Sequence, residues 1–117
     1  MARYTQRFVV AAPAATIPQH IAEALESCEL PVVYSTEDYI LAQEVAGRVA
    51  FSKLVTVEVL IHQPDDATDR VELTCVTKND ELPLKRVNHC RTIADLVAGA
   101  FKSRPTWRIL DSSDAFF

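Results

Sequence analysis

Between Lys53 and Lys78 the chain alternates apolar and polar positions with a period of two. Val55, Val57, Val59 and Ile61 share one face of a strand, and Leu54, Thr56, Glu58, Leu60 and His62 share the other. Beyond the turn-rich segment Pro64-Asp65-Asp66-Ala67-Thr68-Asp69, Val71, Leu73 and Cys75 alternate with Glu72, Thr74 and Lys78. The pattern predicts two long strands, Lys53–Gln63 and Arg70–Lys78, in an antiparallel sheet with one covered face and one partly wet face. The rest of the chain reads as cover for that sheet.

Upstream, Tyr4, Gln6, Phe8 and Val10 alternate with Thr5, Arg7 and Val9, which predicts a strand over Arg3–Ala11. Ala12-Pro13 breaks it. Ile17, Ile21, Ala24/Leu25 and Cys28 then fall at helical spacing with Gln19, Glu23 and Glu26 opposite, and Pro18 fits only in the first turn of such a helix. Leu30-Pro31 ends it. Val32-Val33-Tyr34 and Tyr39–Val45 read as a hairpin around Ser35-Thr36-Glu37-Asp38, and Gly47 is the natural place for a positive φ in the next turn. A second helix starts at Val87 or Asn88 and ends at Ser103-Arg104-Pro105. Its buried stripe is Cys90, Ile93, Val97 and Ala100/Phe101, with Leu96 at the edge. Trp107–Leu110 reads as a short extended piece.

The order is β-α-β-β-β-β-α, an α+β class with an antiparallel sheet and both helices packed on one face. Residues 1–110 form one domain, and 111–117 are expected to fray as a flexible C-terminal tail.

Composition narrows the functions. A chain of 117 residues with nearly half of them apolar supports one core, and its N-terminus carries no signal-peptide pattern. No apolar run is long enough to span a bilayer. Cys28, Cys75 and Cys90 are odd in number and widely spaced, which fits a reducing, cytoplasmic setting and no disulfide framework. A formal charge of −4 argues against nucleic acid as partner. Six basic residues (Lys85, Arg86, Arg91, Lys102, Arg104, Arg108) nevertheless gather around the second helix with one acid, Asp95, and read as a solvated helix face. With two glycines in all, the chain has no phosphate-cradling loop, and no nucleophile-elbow motif is present.

Candidate chemistry concentrates at Asn88-His89-Cys90-Arg91, at a helix start where backbone N–H groups and the dipole lower a thiol's pKa. Cys90 beside Arg91, with His89 as base, would form a reactive thiolate. The same Cys90 also falls on the apolar stripe, where a cysteine behaves as a small buried hydrophobe. His20, His62 and His89 make no ligand spacing with the cysteines, so no metal is expected, and no cofactor. Asp65-Asp66 with Asp69, and Glu37-Asp38, read as solvated turns rather than a calcium loop.

The run Phe8-Val9-Val10-Ala11-Ala12-Pro13-Ala14-Ala15-Thr16-Ile17 resembles the strand and APxxxV turn that lead into the first helix of START-like helix-grip domains. The order of elements resembles the wider group of TATA-binding-protein-like folds. The helix-grip resemblance implies a small apolar ligand held between the sheet and the last helix, where Ala94, Ala98, Gly99 and Ala100 leave room. Phe51–Val59, Val76–Leu84 and Asn88–Arg91 resemble a family of small uncharacterised cyanobacterial proteins, which implies no particular chemistry.

Three functions follow as expectations. The first is a non-enzymatic interaction or assembly protein, with a protein partner or a second copy on the open face at Leu54, Thr56, Glu58, Leu60 and Val76. The second is the apolar-ligand carrier. The third is a thiol enzyme or redox sensor at His89, Cys90 and Arg91.

Overall fold

The computed structural model describes residues 1–47, 49–63, 70–82, 88–104 and 107–116, with side chains as far as Ser113. The expected turn at 64–69, Pro83, Lys85, Arg86, Val87 and Pro105 lie outside the described residues. Strand β1 spans Ala2–Ala11, followed by a 3-10 turn at Ala14–Thr16 and helix α1 over Ile17–Ser27. Strands β2 (Val32–Ser35), β3 (Tyr39–Gln43), β4 (Thr56–His62) and β5 (Arg70–Asn79) come next. Helix α2 (His89–Lys102) and strand β6 (Arg108–Phe116) complete the chain. The six strands form one antiparallel sheet in the order β2-β3-β4-β5-β1-β6.

Alternation places Val55, Val57 and Val59, with Val71, Leu73 and Cys75, on the face that both helices cover, and all six are buried. Ile17, Ile21, Ala24 and Leu25 of α1 and Ile93, Val97 and Phe101 of α2 close the core from above. Phe101 stands edge-on to Phe8 and Trp107, with centroids 5.4 and 5.6 Å away, and the Trp107 indole N–H donates to the Phe101 carbonyl at 2.7 Å. Each such aromatic pair adds about 0.5–1.5 kcal/mol beyond the area it buries.

Helix ends follow local chemistry. Asn88 caps α2, its Oδ1 accepting from the Arg91 N–H at 2.8 Å. At the end of α1, the Leu30 N–H donates to the Leu25 carbonyl and the Glu29 N–H to the Glu26 carbonyl, both at 3.0 Å. This is the Schellman arrangement, and its left-handed position is Glu29, with φ +62° where glycine is usual. Gly47 takes the expected positive φ, +101°.

Three sequence expectations are corrected. The residues read as a tail are, as far as Phe116, the body of β6, which pairs antiparallel with β1 from Tyr4↔Phe116 to Ala11↔Arg108, with a bulge opposite Val9/Val10. The unpaired side of β1 supplies the hydrogen bonds that a polar tail could not find alone, so the sheet runs past 110. The β4 strand starts at Thr56, because Phe51–Lys53 form a 3-10 turn whose cap residue is Leu54. The Tyr39 strand ends at Gln43, although Glu44 and Val55 prolong the ladder by one bond, Glu44 N–H to the Val55 carbonyl at 2.9 Å.

Candidate functional site

No described helix covers the second face of the sheet, and the strand register lays its side chains out in rows. The first row runs Gln43, Thr56, Lys78, Arg3; the second Tyr34, Leu41, Glu58, Val76, Thr5. The third runs Tyr39, Leu60, Thr74, Arg7, Ser113, and the fourth His62, Glu72, Val9, Asp111. The β2–β4 half gathers Tyr34, Tyr39, Leu41 and Leu60, bordered by Gln43, Thr56, Glu58 and His62. Tyr34 is 57% and Leu60 46% exposed, Tyr39 and Leu41 are half-buried, and the two tyrosine rings lie 6.1 Å apart. The β5–β6 half is charged, with a depression of about 300 Å³ lined by Arg7, Val9, Glu72, Thr74, Asp111 and Ser113.

Glu58 joins the two halves. It pairs with the Lys78 ammonium across β4 and β5 and accepts the Tyr39 hydroxyl at 3.1 Å. The hydrogen bond from Lys78, helped by the one from Tyr39, holds the Glu58 carboxyl below the ordinary carboxylate range despite partial burial. Burial, and then the hydrogen bond to Glu58, push the Tyr39 phenol up. Both groups therefore keep their neutral-pH forms firmly: a phenol that donates and a carboxylate that accepts.

Of the open-face residues read from the sequence, Thr56, Glu58 and Leu60 lie in these rows. Val76 lies there too, but it is 6% exposed, enclosed between its register partners Glu58 and Thr5, and offers little surface. Leu54 is apart from the rows. It lines a separate recess of about 470 Å³ with Glu44, Phe51 and Asp80 near the sheet's end. Tyr34, Tyr39 and Leu41 were missed because β2 and β3 are short and only register sets them beside Leu60.

In the His89–Cys90–Arg91 stretch each side chain has a contact inside the molecule. Cys90 is fully buried in a small cluster with Ala2, Tyr4 and Ala94, its thiol pointing at the Thr77 carbonyl at 3.4 Å. Burial, reinforced by the Glu81 charge, pushes that thiol up to about 12, the opposite of what a nucleophile needs. The helix start that would stabilise a Cys90 thiolate is occupied by a carboxylate. Glu81 accepts the Cys90 N–H at 2.9 Å, the His89 N–H at 3.4 Å and the Asn79 amide at 2.6 Å. Burial raises Glu81, but these three hydrogen bonds outweigh it and leave the carboxyl below its usual range.

His89 turns away from Cys90 and meets Glu44, with Nε2 2.9 Å from each carboxylate oxygen. Arg91 lies over the Tyr4 ring at 5.6 Å and reaches Asp95 at 3.4 Å. The basic character of α2 is likewise partly spent inside the molecule, since Arg104 pairs with Glu23 of α1 at 2.6 Å. Among the described residues no group of three or more His, Cys, Asp or Glu side chains converges as a metal site would require.

Comparison with known proteins adds little to this geometry. No family model matches the chain, and no curated protein matches it. Among solved structures, it is similar to a conserved protein from Geobacillus kaustophilus at 11% identity and a TM-score of 0.43, over 85% of this chain and 89% of that one.

Proposed function

We propose that this chain is a non-enzymatic interaction protein whose docking surface is the open face of its sheet. The observation that carries the reading is the patch of Tyr34, Tyr39, Leu41 and Leu60. Four large side chains from three neighbouring strands stand together on a face that no described helix covers, and the ion-paired Glu58 borders them. Tyrosine with aliphatic neighbours and a polar rim is the composition that protein interfaces favour. Half-buried strands facing water on this scale call for a partner.

The packing gives the carrier reading less support. Ala98 is buried in the main core with Phe8, Leu73, Val97 and Phe101, and Ala94 in the small cluster with Ala2, Tyr4 and Cys90. The small residues bring α2 close to the sheet.

A photo-crosslinking amino acid placed at Leu60, with Leu96 on the exposed side of α2 as control, tests the proposal in the cells that make the protein. An adduct at position 60 and none at 96 is expected. Equal labelling from both positions, or none from 60, would contradict it.

A further inference from the structure

Apart from the open face, we infer that one end of the sheet docks on a bilayer surface carrying anionic lipid, with Phe51 and Leu82 entering the acyl boundary. The first row, Gln43, Thr56, Lys78 and Arg3, closes that end. Phe51 at 85% and Leu82 at 68% are the two most exposed large hydrophobic side chains described, and both stand beyond this row. Val45 follows β3 and Met1 precedes β1 at the same end, and both are exposed as well. Pairing brings the Phe51 turn beside the segment that leads to Leu82. The Asp80 N–H donates to the Ser52 carbonyl and the Asn79 amide to the Lys53 carbonyl, both at 3.1 Å. A single exposed apolar residue needs no explanation, but a cluster from separate segments at one end does.

The turn that carries Phe51 is prepared to leave water. The Lys53 N–H donates to the Ala50 carbonyl at 2.8 Å and the Leu54 N–H to the Phe51 carbonyl at 3.2 Å. Backbone groups satisfied from within lose little at the edge of a bilayer, where an open loop would carry unmatched N–H and C=O groups. Phe51 is held out by this turn, with little of its surface covered by the chain. Acyl chains close around such a side chain from every direction. An anchor for a protein partner sits instead in a packed centre ringed by other contacts.

Charge selects the kind of bilayer. In sequence, 45–54 and 82–88 hold Arg48, Lys53, Lys85 and Arg86 and no acid. Lys53 and Arg3 are exposed. Two acids at this end are engaged inside the molecule, Glu44 with His89 and Glu81 with the N–H groups that open α2. Asp80 and, at the end of α1, Glu26 and Glu29 are exposed against these cations. Glu72 and Asp111 lie in the fourth row, away from this end. Apolar side chains beside Lys and Arg make the composition that settles on anionic headgroups.

Cosedimentation of the full chain with vesicles tests the inference. The unmodified chain should pellet with vesicles of equal parts phosphatidylserine and phosphatidylcholine. It should pellet far less with phosphatidylcholine alone, and raised salt should release it. Phe51→Ser should weaken binding about tenfold or more, the effect of withdrawing one buried aromatic anchor. Lys53→Glu should weaken it about tenfold, through a cation lost and an anion gained near the headgroups. Leu96→Ser, on the exposed side of α2, should change nothing. Phe51→Trp should gain fluorescence that brominated acyl chains quench, while the buried Trp107 stays unquenched. An unmodified chain that ignores the anionic vesicles would overturn the inference, as would binding that Phe51→Ser leaves intact or a Trp at 51 that escapes quenching. A photo-crosslinker at Phe51 that labels protein and no lipid in the cells that make the chain would overturn the bilayer as occupant. The Leu60 crosslink reads a different surface, so either reading can fail without the other.

Discussion

The His89 imidazole and the Glu44 carboxylate join the start of α2 to the end of β3 across 45 positions of sequence, Nε2 lying 2.9 Å from both carboxylate oxygens. A carboxylate only accepts, so Nε2 carries the hydrogen. Glu44 also accepts the Val55 N–H at 3.2 Å, so one side chain ties helix, loop and sheet together. With both side chains largely buried, the coupling should exceed that of a surface pair. A double-mutant cycle of Glu44→Gln and His89→Gln at neutral pH is expected to give about 1 kcal/mol of interaction energy by urea unfolding. Additive single effects would mean the pair is incidental.

Glu81 acts as the anion at the α2 N-terminus. Its folded-state carboxyl lies below the ordinary value of 4.5, so its stabilising effect is complete above that pH. It is lost as the pH falls through the lowered folded value. Glu81→Gln should cost about 1 kcal/mol at pH 7, the scale of a charged group hydrogen-bonded to a helix start. Measured against the unmodified chain, that difference should shrink towards zero below pH 4.5. A cost that stays constant down to pH 2 would show that the charge contributes nothing.

Glu29 holds a left-handed backbone, φ +62°, at the end of α1. The conformation costs an L-residue about 1–2 kcal/mol, partly recovered in the unfolded chain when glycine replaces it. Glu29→Gly is expected to stabilise by roughly 0.5–1 kcal/mol and raise Tm by about 2–5 °C. Glu29→Ala should not. Equal gains from both would assign the effect to removing a carboxylate near the negative helix end.

All three cysteines are buried, and burial pushes the thiols of Cys75 and Cys90 up to about 12. Cys28 is raised by burial as well. A thiol reagent such as Ellman's should therefore find almost no reactive group in the native chain at pH 8, and three after denaturation. Rapid native labelling of Cys90 would restore the thiol reading. Cys90→Ser should fold, at a cost of about 1–3 kcal/mol for a more polar group in the Ala2/Tyr4/Ala94 cluster.

What the sequence revealed and what it hid have physical causes. The Val55/Val57/Val59 alternation and the α1 and α2 stripes are visible because each element presents one face to one core. Strand β6 was invisible: Asp111-Ser112-Ser113-Asp114 has no apolar alternation, and only pairing with β1 along one edge orders it. The sixth strand adds a step to the β-α-β-β-β-β-α order read from the sequence. Gln6 is 3% exposed and Thr77 fully buried in the core face, with Gln6 Oε1 and Thr77 Oγ1 unpartnered by protein among the described residues. Polar side chains there are unexpected, and their alternation with buried neighbours was the only signal. The Glu44–His89 contact and the Tyr34/Tyr39/Leu41/Leu60 patch depend on register and long-range closure, which local spacing does not encode.

The account turns on the open face being a docking surface, and Leu60→Glu tests this most directly. Leu60 is 46% exposed in the single chain, so the substitution should leave the fold, followed by circular dichroism, unchanged. In the cells that make the protein, chemical crosslinking of the unmodified chain should give an adduct above its own 13.0 kDa mass. Leu60→Glu should give little of that adduct, with association weakened ~100-fold by a charge forced into the interface. A Leu60→Glu variant that gives the same adduct in the same yield would contradict the account.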